Sequence, residues 1–142
     1  MQQRQTNLYR IFILIFSIVI LLAILKAIFW SRPASPTDRL NEFALRTNMR
    51  APLMLDSFTR FDSAIVLPGD KFEYNYTILR LPKYQIDTTF IMNEVKQTFI
   101  NNLKTDSGFA DLKANTKEIL ACYYDRSGDL FYKYSITPAE FK

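Results

Sequence analysis

The sequence predicts an α+β protein, with an N-terminal transmembrane helix followed by an α-β-β-α-β-β domain built on a mostly antiparallel four-stranded sheet. Three observations predict this class. A long apolar run begins near residue 11, two pairs of segments alternate apolar and polar residues, and two other segments repeat apolar residues at helical spacing. In a chain of 142 residues, such an anchor leaves room for one further domain.

Residues 11–30 form the predicted transmembrane helix, preceded by a tail at residues 1–10. The run carries no charge before Lys26 and continues to Trp30, a length that crosses a hydrocarbon core of about 30 Å. Lys26 near the end can extend its amine toward the headgroups, and Tyr9 and Trp30 occupy positions expected for interfacial aromatics. These three residues are the predicted membrane anchor, and the lipid bilayer is a predicted partner.

A cleaved signal peptide is the alternative for this segment, because signal peptides and membrane anchors both begin with a short basic head and an apolar run. Arg32 stands where cleavage after Ala34 would need a small residue, so we expect a retained signal anchor. The arginines that follow the span favour a cytoplasmic domain, whereas the acid-free head favours translocation of the domain. We therefore expect a single-pass inner-membrane protein with its C-terminal domain in the periplasm.

Residues 31–36 form a connector whose two prolines cannot continue the helix. The single α+β domain is predicted at residues 37–142. It opens with a helix that Thr37 or Asp38 can cap and that runs to about Asn48, where the apolar positions repeat at helical spacing.

Strand patterns follow this helix. Leu53–Leu67 alternates as one long strand, with room for a bulge near Ser57. A Pro-Gly-Asp turn follows at residues 68–70, and Lys71–Leu79 alternates as the second strand of a hairpin. A second helix is predicted over Asp87–Lys104, with a polar stretch after it. A second hairpin over residues 118–137 then completes a sheet with its helices on one side.

The charge of the chain argues against nucleic-acid binding. The formal charge is +4, but residues 1–30 carry three bases and no acid, so residues 31–142 carry 15 bases and 14 acids. A nearly neutral domain lacks the clustered positive charge that phosphate groups require. We therefore expect no nucleic-acid partner.

Missing residue types exclude several kinds of chemistry. Cys122 is the only cysteine and the chain has no histidine, so an intramolecular disulfide and a four-ligand cysteine or histidine zinc site are both excluded. Histidine-based general acids and bases and Ser–His or Cys–His nucleophiles are excluded as well. No phosphate-binding glycine loop or metal motif is present. We expect no cofactor, no metal site and no enzymatic activity.

The candidate partner-binding residues are Asp56, Arg60 and Asp62, which the alternation places on one face of the first strand. An arginine held between two carboxylates can present a fixed fork to a partner's carboxylate or backbone. A solvated charge ladder without a function explains the same pattern. The tyrosines of the later strands are better explained as core than as a binding surface.

Short motifs resemble a family of small, membrane-anchored, extracytoplasmic envelope proteins of bacteria for which no activity is established. The motifs are Asp56, Thr59-Arg60, Phe61-Asp62-Ser63, Pro68-Gly69, Phe72-x-Tyr74-x-Tyr76, Tyr124-Asp125-x-x-Gly128 and Ile136-x-Pro138. Members usually carry a pair of cysteines in the second half, whereas this chain has one. The resemblance implies an envelope location and an α+β fold more than a role.

Two functions fit these observations. The first is a membrane-anchored, non-enzymatic envelope module that binds a protein or membrane complex, such as an accessory subunit or an immunity or exclusion factor. The face bearing Arg60 or an exposed edge strand would carry the binding. The alternative is a small-ligand or lipid-binding domain with an apolar pocket between helix and sheet, lined by Tyr74, Tyr76, Phe99 and Tyr134.

Overall fold

A computed structural model describes residues 2–30, 33–79, 89 and 91–141 of the chain, with the side chains of residues 2–12 and 30 outside the description. The chain divides into two compact units, Met1–Pro33 and Ala34–Lys142.

The N-terminal unit consists of helix α1, Gln2–Trp30. Its described side chains, at residues 13–29, are exposed and mostly apolar on all sides of the helix. Lys26 lies among them, whereas the side chains of Tyr9 and Trp30 lie outside the described residues.

Among the residues with described side chains, no helix is both long and apolar enough to cross a membrane. The predictions of a transmembrane helix at residues 11–30 and of a single-pass inner-membrane protein are corrected accordingly.

The second unit is α+β, with four helices and five strands among its described residues. The helices are α2 (Pro36–Asn48), α3 (Lys96–Thr105, preceded by a π-helical turn at Ile91–Val95), α4 (Ala110–Asn115) and α5 (Pro138–Phe141). The strands are β1 (Leu53–Met54), β2 (Thr59–Leu67), β3 (Lys71–Ile78), β4 (Glu118–Asp125) and β5 (Leu130–Ile136).

Helix α2 begins earlier than the sequence suggested. The Ser35 side chain accepts a hydrogen bond from the Asp38 backbone N–H at 3.1 Å, and the Asp38 carboxylate accepts one from the Ser35 backbone N–H at 2.9 Å. This reciprocal pair satisfies two N–H groups at the helix end. Asp38 therefore belongs to the cap, but as the partner of Ser35.

The sheet has five strands in the order β1-β2-β3-β4-β5, so the prediction of four strands is wrong. Three neighbouring pairs are antiparallel, but β3 and β4 run parallel, from the pair Lys71–Glu118 to the pair Ile78–Asp125. Parallel neighbours require a long crossover, and the connection from β3 to β4 contains α3 and α4.

The extra strand arises because the predicted strand Leu53–Leu67 turns back at Asp56. One carboxylate oxygen of Asp56 accepts hydrogen bonds from the backbone N–H groups of Phe58 and Thr59, at 2.6 and 2.7 Å. This side-chain turn lets β1 fold onto the start of β2, with Leu55 N–H bonded to Thr59 C=O at 2.9 Å.

Helix α3 follows part of the predicted helix, whose proposed start at Asp87 lies outside the described residues. After α3, the Asp106 side chain accepts a hydrogen bond from Gly108 N–H at 2.7 Å and opens a short 3-10 turn that leads into α4. From the sequence, only a polar stretch was predicted here. Leu112 of α4 is fully buried.

The core lies between the four helices and one face of the sheet, here called the covered face. Its centre is a group of aromatic rings. Phe72 is fully buried and lies 5.4 Å from Phe43 of α2 and 5.0 Å from Tyr74, measured between ring centroids. Tyr74 in turn packs edge-on against Phe99 of α3 at 5.4 Å. These contacts fasten the helices to the central strands.

Asp70 ties the turn between β2 and β3 to two other elements. Its carboxylate accepts a hydrogen bond from the Thr37 hydroxyl at 2.7 Å and lies 3.0 Å from the Lys117 amine. Its C=O accepts from the Lys117 backbone N–H at 2.8 Å. Gly69 and Asp70 both have positive φ, a conformation that glycine adopts freely and aspartate tolerates.

The outer edge of β2 is closed by a side chain. The Asn48 amide, at the end of α2, donates to Ala64 C=O at 2.8 Å and accepts from Ala64 N–H at 2.7 Å. It makes the same two bonds that a neighbouring strand would make.

Candidate protein-binding face of the sheet

The second face of the sheet, here called the open face, is built by the side chains that alternate with the core positions. The cluster of buried residues that joins the helices to the sheet contains none of these side chains. The open face consists of the side chains of Met54, Arg60, Asp62, Ser63, Ile65, Leu67, Lys71, Glu73, Asn75, Thr77, Glu118, Leu120, Cys122, Tyr124, Leu130, Lys133 and Ser135.

Arg60 and Asp62, two of the predicted site residues, meet on the open face. Arg60 Nε donates to one Asp62 oxygen, and the Thr77 hydroxyl of β3 donates to the other. A register shift between residues 61 and 63 of β2 brings Asp62 to this position. The Asp62 carboxylate therefore holds the guanidinium in one orientation while the Arg60 side chain remains 38% exposed.

Asp56, the third predicted residue, lies in the turn between β1 and β2. Partial burial raises the pKa of its carboxyl, but the N–H groups of Phe58 and Thr59 lower that pKa by more, so the net shift is downward. Its carboxylate oxygen is engaged in shaping the turn. The structure thus brings Arg60 and Asp62 together and places Asp56 apart, as a turn residue.

Exposed apolar side chains also lie on the open face, one of them next to Arg60. Met54 is the cross-strand neighbour of Arg60 and is 48% exposed. Ile65 and Leu130, on the same face, are 40% and 47% exposed. Arginine, methionine and tyrosine are enriched at protein–protein interfaces, where apolar contact surrounds a few directed polar bonds.

A second polar group lies on the open face at β3, β4 and β5. Lys133 Nζ lies 3.4 Å from a Glu73 carboxylate oxygen, and the Cys122 thiol beside them is 2% exposed. Burial, together with the neighbouring Glu73, raises the pKa of Cys122 to about 11. The thiol is therefore protonated at neutral pH and is a poor nucleophile.

The charges of the open face form pairs. Arg60 pairs with Asp62 and Lys133 with Glu73, and Lys71 lies 2.7 Å from Glu118 across the β3–β4 boundary. Pairing leaves this face with little long-range field, so recognition there depends on shape and directed hydrogen bonds more than on charge attraction.

Of the four aromatic residues of the predicted apolar pocket, Tyr74 and Tyr134 belong to the buried core, and Tyr76 and Phe99 are partly buried against it. Beyond the Tyr74–Phe99 contact, Tyr76 stacks on Tyr123 at 5.0 Å, and Tyr134 is 7% exposed. In the described part of the domain, these rings pack against one another between the sheet and the helix. Within that part, no group of three acidic, cysteine or histidine side chains is placed to hold a metal ion.

Met54, Thr77 and the Glu73–Lys133 pair were not predicted as parts of this face. Glu73 and Thr77 were visible as outward positions of an alternating strand, but their neighbours depend on which strands pair. Met54 was assigned to a continuous strand, and only the turn at Asp56 brings it beside Arg60.

No family model matches the chain, and no curated protein matches it significantly. Solved structures do match. A candidate secreted protein from Pseudomonas aeruginosa is 8% identical, with a TM-score of 0.62 over 75% of this chain and 93% of that one. The pilotin AspS of the type II secretion system of Vibrio cholerae is 12% identical, with a TM-score of 0.54 over 74% of this chain and 91% of that one.

The domain shares the fold of these two proteins, the candidate secreted protein and AspS. A third match, the pilotin EpsS of the Vibrio vulnificus type 2 secretion system, is 12% identical, with a TM-score of 0.49 over 74% of this chain and 96% of that one. At such low identity the likeness concerns the fold alone.

Proposed function

We propose that this chain is a non-enzymatic module of the bacterial cell envelope that binds a protein partner through the open face of its sheet. The observation that carries the proposal is the oriented Arg60. Its guanidinium is fixed by Asp62, and it stands beside the exposed Met54. A preorganised donor next to an apolar contact loses little conformational entropy when a partner binds.

The envelope part of the proposal is supported by two independent likenesses. The sequence motifs resemble a family of bacterial envelope proteins, and the fold resembles a candidate secreted protein and a type II secretion pilotin. Fold alone does not define function, so the binding role depends on the open face and the envelope location on these likenesses.

A binding role fits the chemistry of the domain better than catalysis. The chain has no histidine, and the Cys122 thiol is buried and protonated. A ligand pocket is less well supported than a protein-binding face, because Tyr74 and Phe99 pack on each other between sheet and helix.

Site-specific photocrosslinking in intact cells tests the proposal. A benzophenone amino acid replaces Met54, so that Arg60 stays in place, and a second variant carries it at Asn41, an exposed position of α2. We expect one discrete adduct from position 54 and none from position 41. The adduct should contain an envelope protein when it is identified by mass spectrometry.

Two arginine substitutions make the test specific. Arg60→Ala in the position-54 variant should remove the adduct, because it removes the oriented donor. Arg39→Ala, which changes an exposed arginine of α2, should leave the adduct intact. The proposal fails if both positions give the same adduct, if Arg60→Ala has no effect, or if the captured protein is cytoplasmic.

A further inference from the structure

The two edges of the sheet differ in whether another strand can be added. On the β1 side, the added strand has only two residues, and beyond it the Asn48 amide occupies both backbone groups of Ala64. On the β5 side, the seven residues Leu130–Ile136 form the last strand. Within the described residues, they make no backbone hydrogen bond outside the pairing with β4.

The backbone of β5 is thus a ready acceptor for a further strand. Alternate N–H and C=O groups of an edge strand point away from the sheet, and an extended peptide can pair with them. Seven residues at about 3.3 Å each give an edge of roughly 20 Å, similar in length to an average strand.

Lys133 decides which occupant suits this edge. It lies at the centre of β5 and is the only charged residue of the strand, with a side chain that is 42% exposed and 3.4 Å from Glu73. In a centred antiparallel pair of two β5 strands, Lys133 would face the same lysine of the second copy. Like charges directly opposite each other are destabilising, so the edge disfavours a second copy.

We propose that the β5 edge binds an extended segment of a partner protein, with an acidic residue placed opposite Lys133. The Lys133 amine has three N–H donors and is 42% exposed beside Glu73, so an incoming carboxylate can share it with Glu73 while the backbone of the segment pairs with β5. This interaction surface is separate from the Arg60 site and goes beyond the proposed function, since either surface can work without the other.

The test uses the full chain in a mild detergent, because the exposed apolar side chains of α1 would otherwise associate. The probes are two synthetic heptapeptides of alternating threonine and valine, one with a central glutamate and one with a central lysine. Hydrogen exchange read by mass spectrometry reports protection of β5, and titration gives the affinities. We expect the glutamate peptide to protect β5 and to bind about fivefold more tightly than the lysine peptide.

Charge exchange separates this proposal from unspecific binding. Lys133→Glu should reverse the preference between the peptides. Because that change places a second carboxylate beside Glu73, Lys133→Gln is a second variant, which removes the charge alone and should abolish the preference. Lys104→Glu makes the same change at an exposed position of α3 and should leave the preference as it was. Arg60→Ala should also leave peptide binding unchanged, which distinguishes this surface from the Arg60 site.

Three results would overturn the inference. They are a lack of protection at β5 with both peptides, a preference that Lys133→Glu leaves unchanged, and concentration-dependent protection of β5 in the free chain. The last would show that a second copy occupies the edge.

Discussion

On the covered face of the sheet, aromatic rings pack against rings from the helices, whereas on the open face side chains are held by ion pairs and hydrogen bonds among themselves. Phe72 is fully buried on the first face, and Arg60 is 38% exposed on the second. The covered face therefore provides most of the folding free energy. The open face can tolerate substitutions that change binding without unfolding the domain.

The largest expected loss of stability comes from removing a central ring of the covered face. Phe72→Ala should lower the free energy of unfolding by about 3–5 kcal/mol, because it leaves a cavity among Phe43, Tyr74 and their neighbours. Ile65→Ala is the matched control on the open face, where the side chain is 40% exposed. It should cost less than about 1 kcal/mol in urea denaturation. Equal costs would show that the open face also contributes a core.

Asn48 offers a smaller effect at the edge of the sheet. Asn48→Ala leaves the N–H and C=O of Ala64 without their partner, so we expect a loss of about 1–3 kcal/mol. Hydrogen exchange should show faster exchange at the Ala64 amide. Asn101→Ala, at an exposed position of α3, is the control and should change neither quantity. An unchanged Ala64 exchange rate would contradict the closing role of Asn48.

The ion pair of the open face should contribute less. Glu73→Gln removes the charge that faces Lys133 at 3.4 Å, and we expect a loss of about 1 kcal/mol, since the half-exposed lysine can turn toward water. Lys71→Gln breaks an ion pair whose lysine is 46% exposed and should cost less than the Glu73 change. The reverse order in thermal or urea unfolding would contradict this ranking of the open face.

Acid should destabilise the domain in part through the turn at Asp70. Hydrogen bonds from Thr37 and Lys117 hold the pKa of Asp70 below its ordinary value of 3.8. A lowered folded pKa adds stability above pH 3.8, and that stability is lost as the pH falls through the folded pKa. Asp70→Asn should therefore weaken the loss of stability on acidification from about pH 5 to about pH 2. Thr37→Val, which removes one donor, should give an intermediate effect, and identical profiles would exclude Asp70 as the source.

Local patterns in the sequence predicted the parts of this fold that depend on neighbouring residues. Both hairpins, the turn at residues 68–70 and the amphipathic α3 follow from apolar spacing and turn chemistry. The fifth strand was missed because the break in alternation near Ser57 fits a bulge within one strand, whereas the Asp56 side chain makes a turn there. The parallel pairing of β3 and β4 was missed because hairpin signals say nothing about how two hairpins meet.

In the candidate site, too, the contacts between near neighbours in sequence were predicted and those set by strand pairing were not. The spacing of two between residues 60 and 62 predicts that they share a face, and this much is visible in the sequence; the register shift at Asp62 is not. Thr77 and Met54 reach the site only through the pairing of β2 with β3 and β1. Residues that are distant in sequence enter such a site through register, which alternation alone cannot give.

The side chain of Asn48 also limits how copies of this domain can assemble. A sheet with two open edges can add strands without limit, whereas a sheet with one open edge can add a strand on that side only. Asn48 closes the sheet at Ala64 and leaves β5 as the edge strand that can pair. With one edge of the sheet closed, the domain can add one extended segment at β5 but cannot stack edge to edge into a fibril.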